Sequence, residues 1–405
     1  DAWIDAPPAG PGRWVMTARR IALAAGGTGG HVFPALSLAE ALCARGHQVL
    51  VLTDKRGDAF ETANAPWTVT RIRAASPSKP GLVAKLGAIA QLGLGALDAR
   101  RALKEFQADV VVGFGGYPSV PAIFAGSWLN KPAILHEQNA VLGRANRWLV
   151  ARAAVVATSF EATLGTDGDQ PVERTGNPVR AAILAHRETG YDTPDAEGEI
   201  RLCVFGGSLG ARVFSDLVPA ALGLLPTVLR DRIHLVQQCR EEDLERVREG
   251  YVALGIKAET AAFFDDVPDR LVAAHLVIAR AGASTVSELG VIGRPAILVP
   301  YPHAMDDHQS RNARAMENAG GGWMMAESAL TAESLAARLE QLLGEPGQLE
   351  RAAAAARGFG VPDAVDRLAD LVLRVAATRS GDVFGPKTRR DETTGSGLDE
   401  RRALA

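Results

Sequence analysis

One short pattern occurs twice, about half a chain apart, and it constrains the fold more than any other feature. Residues 21–42 read IALAAGGTGGHVFPALSLAEAL, and residues 201–222 read RLCVFGGSLGARVFSDLVPAAL. Each is an apolar strand, a glycine-rich turn and a helix. Such a turn lets backbone N–H groups approach an anion at the positive end of a helix. Two copies imply two α/β domains facing a common ligand that carries phosphate.

Further strand candidates, separated by helical patterns, fall at 48–53, 109–113, 132–136, 154–158, 233–238, 276–280 and 295–300. These Val/Ile/Leu/Ala runs do not alternate with polar residues, as expected of parallel strands covered on both faces. Alternating strands and helices predict doubly wound, Rossmann-like sheets. The polar stretch after TGNPVR at 175–180 reads as the connector between the two domains. Ligands in such folds sit at the carboxyl ends of the strands, and the glycine clusters at 26–30, 115–116, 206–210 and 282 all fall there.

With 405 residues, 47% hydrophobic and 22% charged, the chain has the make-up of a globular protein with more than one core. A net charge of −3 argues against a general nucleic-acid binder. Cys43, Cys203 and Cys239 lack metal spacing and read as buried structural thiols of a reducing compartment. Residues 1–16 read as an unpacked extension and 378–405 as a polar, Gly-rich disordered tail.

Several chemistries compete for the two loops. Gly27-Thr28-Gly29 opens like a dinucleotide-binding fingerprint, with Asp54 at the end of the next strand, but Val32 occupies the third glycine position. A plain strand–helix turn is a further reading, although it has no use for His31 at the start of the helix. There the helix dipole disfavours an imidazolium and favours a neutral base. Gly206-Gly207-Ser208-Leu209-Gly210 matches the nucleophile elbow G-x-S-x-G, which makes Ser208 a candidate hydrolase nucleophile with Asp265 and His303 or His308 as partners. That reading leaves the first loop and Asn139 without a role, whereas a phosphate cradle uses both loops. No Walker A loop occurs.

ARAGASTVSELG at 279–290 forms a third strand–turn–helix junction. Ser284, Thr285 and Ser287 are candidate helix caps. Glu288 reads either as a first-turn acid or as a carboxylate accepting hydrogen bonds from ribose hydroxyls. HAMDDHQSRNA at 303–313 offers Asp306, Asp307, His308 and Gln309 to sugar hydroxyls. Asp167-Gly168-Asp169 has a D-x-D form but reads as a surface turn, so no metal is expected.

Taken together, the segments GGTGGHVFPALSLAEAL, GFGGYPSVPA, LHEQNAVLGRANR, TGNPVR, FGGSLGAR, RAGASTVSELG and DDHQSRNA resemble the MurG family of glycosyltransferases. They span roughly residues 20–320 in the family's order. The resemblance implies a GT-B fold, two Rossmann-like doubly wound domains with a cleft between them. An acceptor domain would span 17–178 and a UDP-GlcNAc domain 179–356. A helix at 357–377 would return to the first domain. It implies transfer of N-acetylglucosamine from UDP-GlcNAc to the 4-hydroxyl of undecaprenyl-diphosphate-linked muramoyl-pentapeptide, in cell-wall synthesis and so in cell shape and division. Donor contacts carry over to Thr28, Gly29, Gly30, Asn139, Arg180, Ser208, Phe264, Glu288 and Gln309. Ala283, Ser284, Thr285 and His308 are further substrate candidates; at His308 some relatives have Gln. No cofactor is implied.

The reaction inverts an α-linked donor to a β-linked product, which needs one base on the acceptor side and a stabilised leaving diphosphate. His31 is the expected base, since imidazole titrates near neutrality, and Glu137 is the alternative. The acceptor's lipid requires a peripheral enzyme at the cytoplasmic face of the inner membrane. Lys79, Leu82, Val83 and Lys85 are the expected contacts with an anionic surface, and Tyr117 lies on the acceptor side. Beyond Leu86 the same helix reads equally well as ordinary core. Other cell-wall synthesis proteins are expected partners.

Overall fold

The apolar runs form the inner strands of two parallel sheets in a computed structural model that describes residues 18–27, 29–61, 64–76, 81–195, 197–207 and 210–378. The first sheet contains β1 (Arg20–Ala24), β2 (Gln48–Thr53), β3 (Thr68–Arg71), β4 (Val110–Gly113), β5 (Ala133–Glu137), β6 (Val155–Thr158) and β7 (Val172–Arg174), in the order β3-β2-β1-β4-β5-β6-β7. The second contains β8 (Ile200–Phe205), β9 (Ile233–Gln238), β10 (Lys257–Ala261), β11 (Leu276–Ala279), β12 (Ala296–Leu298) and β13 (Gly322–Met324), in the order β10-β9-β8-β11-β12-β13. Strand order reverses beside β1 in one sheet and beside β8 in the other. The two glycine-rich loops leave those strands, so each lies at a topological switch point.

β3, β7, β10 and β13 have no apolar run in the sequence, and they are the four sheet edges. An edge strand has one neighbour and partial cover, and these four are largely half-buried or exposed. The inner strands β1, β4, β5 and β11 are buried almost throughout, so only they had to be written in aliphatic residues.

Apolar clusters cover both faces of each sheet. The helix Ala364–Ala377 contributes Leu368, Ala369, Leu371, Val372 and Ala376 to a cluster of the first domain, beside Ile21 and Leu23 of β1. Their spacing of one, three and four makes one apolar face, and full burial of Leu368 is worth about 2 kcal/mol. Arg45 adds ion pairs to Asp366 and Asp370, each at 2.6 Å. The preceding helix, Pro346–Phe359, runs past the boundary drawn at 356 and packs on the second domain.

The chain therefore crosses between domains twice, near 175–180 and near 360–363, and the crossings touch. Gly176 has φ +83°, and a Cβ there would sit 2.7 Å from the Val361 side chain, so both conformation and space demand glycine. Cys203 and Cys239 are buried, which pushes their thiols up to about 12 and about 11. The extension 1–16 and the tail beyond Thr378 lie outside the described residues, as do Thr28, Lys79 and Ser208.

Candidate active site

The site is assembled at the carboxyl ends of the strands of both sheets. Gly26 and Gly27 follow β1, and His31 is in the first turn of the helix Gly29–Ala44. After β4 the chain turns through Gly115 and Gly116 into the helix Gly116–Trp128, which carries Tyr117. A Cβ on Gly116, whose φ is +68°, would meet the Gly26 carbonyl oxygen at 2.9 Å. Glycine at 116 is what lets the two loops close on each other.

The end of β5 supplies most of the polar groups. Side chains alternate along a strand, so His136 and Gln138 face one way and Glu137 and Asn139 the other. Glu137 is buried and accepts four hydrogen bonds: from the Asn139 N–H and Nδ2 at 3.1 Å each, and from the Gly143 N–H and Asn146 Nδ2 at 2.8 Å each. Its oxygens thus hold the loop 139–146 in shape and are already engaged. The ring of His31 has no such structural duty; its Nδ1 lies 3.1 Å from Gln138 Oε1, and the Phe114 carbonyl lies beside it. Burial pushes the imidazole below its usual value, against the opposing pull of Glu137; His308 pushes in the same direction as burial. His308 belongs to the second domain and opens the helix whose Asn312 bonds Asn139 and Ala140 of the first.

The second domain faces this loop with the helices Ala283–Ile292 and His308–Asn318. Gln309 and Asn312, three residues apart, share one face of the latter helix. Gln309 Oε1 accepts from the Ala281 N–H at 3.2 Å and the Tyr301 N–H at 2.9 Å, tying together the loops after β11 and β12. Asn312 is fully buried and clasps the domains. Its Oδ1 accepts from the Ala140 N–H at 2.8 Å, and its Nδ2 donates to Asn139 Oδ1 and the Ala281 carbonyl at 3.1 Å each. Arg147 adds an ion pair to Asp306 at 2.6 Å across the same gap. Replacing Asn312 with Ala leaves the Ala140 N–H unpaired, and a loss of about 1–3 kcal/mol is expected in urea denaturation.

Among the other candidates, the capping expected of Ser284 and Thr285 is absent, while Arg180, Glu288 and Phe264 have partners within the protein. The helix Ala283–Ile292 is capped by Gly282, with no side-chain cap bond, because Gly282 takes the extended cap conformation one residue before the helix. Ser284 and Thr285 consequently lie inside the first turn, and Ser284 Oγ is buried without a partner. Arg180 and Glu288, assigned from sequence to different parts of the donor, bond to each other, Nε to Oε1 at 2.8 Å and Nη2 to Oε2 at 2.9 Å. The Phe264 ring is committed to the core, edge-on to Phe205 with Arg270 over its face. Asp167 and Asp169 are exposed.

Lys85 and Val83 stand on the helix Leu82–Phe106, and the apolar stripe does not stop at Leu86. Val83 is 86% exposed, Leu86 56%, Ile89 59% and Leu97 57%. The opposite face of the helix is ordinary core, with Ala88, Ala96, Ala99 and Leu103 buried. Asn312, Gln138 and Asn146 were not singled out from the sequence, although each lies inside a quoted motif. The alternation of polar residues at 136–139 and the i, i+3 pair Gln309/Asn312 are the signals that mark them.

Two Rossmann-like domains with glycine-rich loops and the His31 imidazole at one interdomain cleft have the architecture of GT-B glycosyltransferases. The chain matches the models of the Glycosyltransferase family 28 N-terminal domain over residues 21–158 and C-terminal domain over 201–368. A Rhodospirillum centenum protein named UDP-N-acetylglucosamine--N-acetylmuramyl-(pentapeptide) pyrophosphoryl-undecaprenol N-acetylglucosamine transferase is 52% identical over 368 residues, covering 90% of this chain and 97% of the relative. Its namesake from Rhodospirillum rubrum is 52% identical over 359 residues, covering 89% and 92%. The crystal structure of Acinetobacter baumannii MurG superposes with a TM-score of 0.74 at 29% identity, covering 88% of this chain and 99% of that one. This chain belongs to the MurG family of glycosyltransferases.

Proposed function

We infer that the protein transfers N-acetylglucosamine from UDP-GlcNAc to the 4-hydroxyl of undecaprenyl-diphosphate-linked muramoyl-pentapeptide. The observation that carries this reading is that His31 bonds Gln138, while the next residues, Asn139 and Ala140, bond Asn312 of the second domain, so the imidazole stands where the two domains meet. An acceptor held by the first domain meets a donor held by the second at that imidazole.

In this mechanism the acceptor oxygen attacks the anomeric carbon as His31 takes its proton. The bond from that carbon to the β-phosphate oxygen breaks, and UDP leaves with inversion. The loop after β8, with the Ser208 hydroxyl and Arg180, meets the leaving diphosphate. Glu288, Gln309 and the turn Ala283–Thr285 bind ribose and sugar hydroxyls. Thr28, Gly29 and Gly30 are proposed as further donor contacts. The test is UDP release from UDP-GlcNAc, which should require the lipid-linked muramoyl-peptide. Release indifferent to that acceptor would overturn the reading.

Peripheral attachment to the cytoplasmic face of the inner membrane goes with this substrate. Among the described residues no helix is long and apolar enough to cross a membrane. The exposed stripe Val83, Leu86, Ile89 and Leu97, with Lys85 beside it, supports docking of the first domain on an anionic surface. Each lysine at such a surface is worth about 1 kcal/mol. Binding to anionic vesicles is expected to weaken with salt and with Lys79→Glu/Lys85→Glu, while activity on a short-chain acceptor persists. Vesicle binding indifferent to both would move the docking face elsewhere. Other cell-wall synthesis proteins are proposed partners at that surface.

A further inference from the structure

We propose that Gln138 and His136 are positioning residues that fix the tautomer of His31, placing its proton on Nδ1 and leaving Nε2 as the nitrogen that receives the acceptor's proton. The inference rests on the reading of His31 as base, and it follows from a chain of hydrogen bonds that can be polarised in only one direction.

The chain begins at the interdomain connector. His136 Nε2 lies 3.0 Å from the Gly176 carbonyl oxygen. A carbonyl only accepts, so this nitrogen carries the hydrogen. His136 is fully buried, and burial pushes it down to about 4, so near neutral pH the ring holds one proton. Its Nδ1 is therefore an acceptor. Gln138 Nε2, 3.0 Å away, donates to it and spends its other hydrogen on the Phe114 carbonyl, also at 3.0 Å. Turning the amide over would set its oxygen against that carbonyl and against the His136 lone pair, two repulsions at once. The amide orientation is thus fixed, and Oε1 is what faces His31 Nδ1 at 3.1 Å. An amide oxygen only accepts, so His31 carries its hydrogen on Nδ1. A neutral imidazole then has its lone pair on Nε2.

The groups that bear on the charge of His31 include the Phe114 carbonyl, just after β4, which favours the imidazolium. Glu137 and His136 lie on β5, Gln138 follows that strand, and His308 opens a helix of the second domain. Of these, Gln138 accepts directly from Nδ1 and favours the imidazolium that forms during transfer. Gln138 itself never approaches the reacting atoms.

The primary test is nitrogen-15 NMR of the full chain labelled at histidine, with His31 assigned by the resonances lost in His31→Gln. The expected spectrum near neutral pH shows His31 Nδ1 protonated and Nε2 with a lone pair. The opposite pattern overturns the proposal without any variant of Gln138. Two variants extend the test. Gln138→Met should mix the tautomers, lower kcat by about tenfold or more and leave the KM for UDP-GlcNAc within about twofold. Having lost an acceptor for the imidazolium, it should also move the acid limb of kcat/KM to lower pH. Gln138→Glu places a carboxylate against Nδ1 and should move that limb to higher pH. A merely structural glutamine would not move the limb in opposite directions, and an unmoved limb in both variants overturns the proposal. If His31→Gln keeps near-normal turnover while the tautomer is as expected, the base assignment fails and the relay stands.

Discussion

Replacing His31 with Ala should lower turnover at least about a hundredfold, or roughly 2.7 kcal/mol in activation free energy, while UDP-GlcNAc binding stays near normal. The side chain's partners, Gln138 and the Phe114 backbone, both belong to the first domain, so its loss removes nothing that holds the donor's half of the cleft. Burial holds the imidazole below its ordinary value of 6.5. Only the neutral ring can accept a proton. Activity in the wild-type enzyme should therefore persist to pH values below 6.5 and fall only as the pH drops through the lowered pKa. Near-normal turnover in the variant, measured by UDP release, would remove His31 from the chemistry.

Glu137→Gln should act on stability first. The carboxylate accepts four hydrogen bonds, and glutamine offers one acceptor oxygen and an NH2 group that points hydrogens at two of the same donors. Hydrogen bonds to a charged group are worth about 1.5–3 kcal/mol each, and two donors lose their partner, so a destabilisation of about 3–6 kcal/mol is expected by denaturant unfolding. The loop 139–146 carries Asn139, which reaches Asn312, so donor affinity should fall as well. Were Glu137 the base, the variant would in addition lose turnover at least about a hundredfold while still folded and saturated with UDP-GlcNAc.

The inner strands were legible because burial on both faces leaves only aliphatic residues, and their ends are marked by glycine. The edges were not, because β3, β7, β10 and β13 are shaped by one neighbour and by solvent. The same division runs through the site. Residue types such as His31 after a glycine turn, or Asn139 after a buried strand, announce polar work where none is needed for folding. Which group each one touches depends on chain segments far away. Arg180 meets Glu288 across 108 positions, and Asn139 meets Asn312 across 173. No local spacing encodes such pairs. The stripe beyond Leu86 was ambiguous for a related reason. Apolar residues at helical intervals look alike whether they face a core or open water, and only the packing of the helix Leu82–Phe106 decides between them.

The two crossings of the chain have a mechanical consequence. A single linker would leave the domains free to twist and slide, with one flexible cord between them. Two strands of chain in contact, at Gly176 and Val361, make a pin instead. Relative motion reduces to rotation about that point, with small travel beside the pin and large travel at the far lips of the cleft. The Gly176 carbonyl, to which His136 is bonded, is part of the pin. Opening about that pin would break the Asn312 and Arg147 contacts across the gap, while the imidazole of His31 stays tied through Gln138 and His136 to the part of the hinge that moves least.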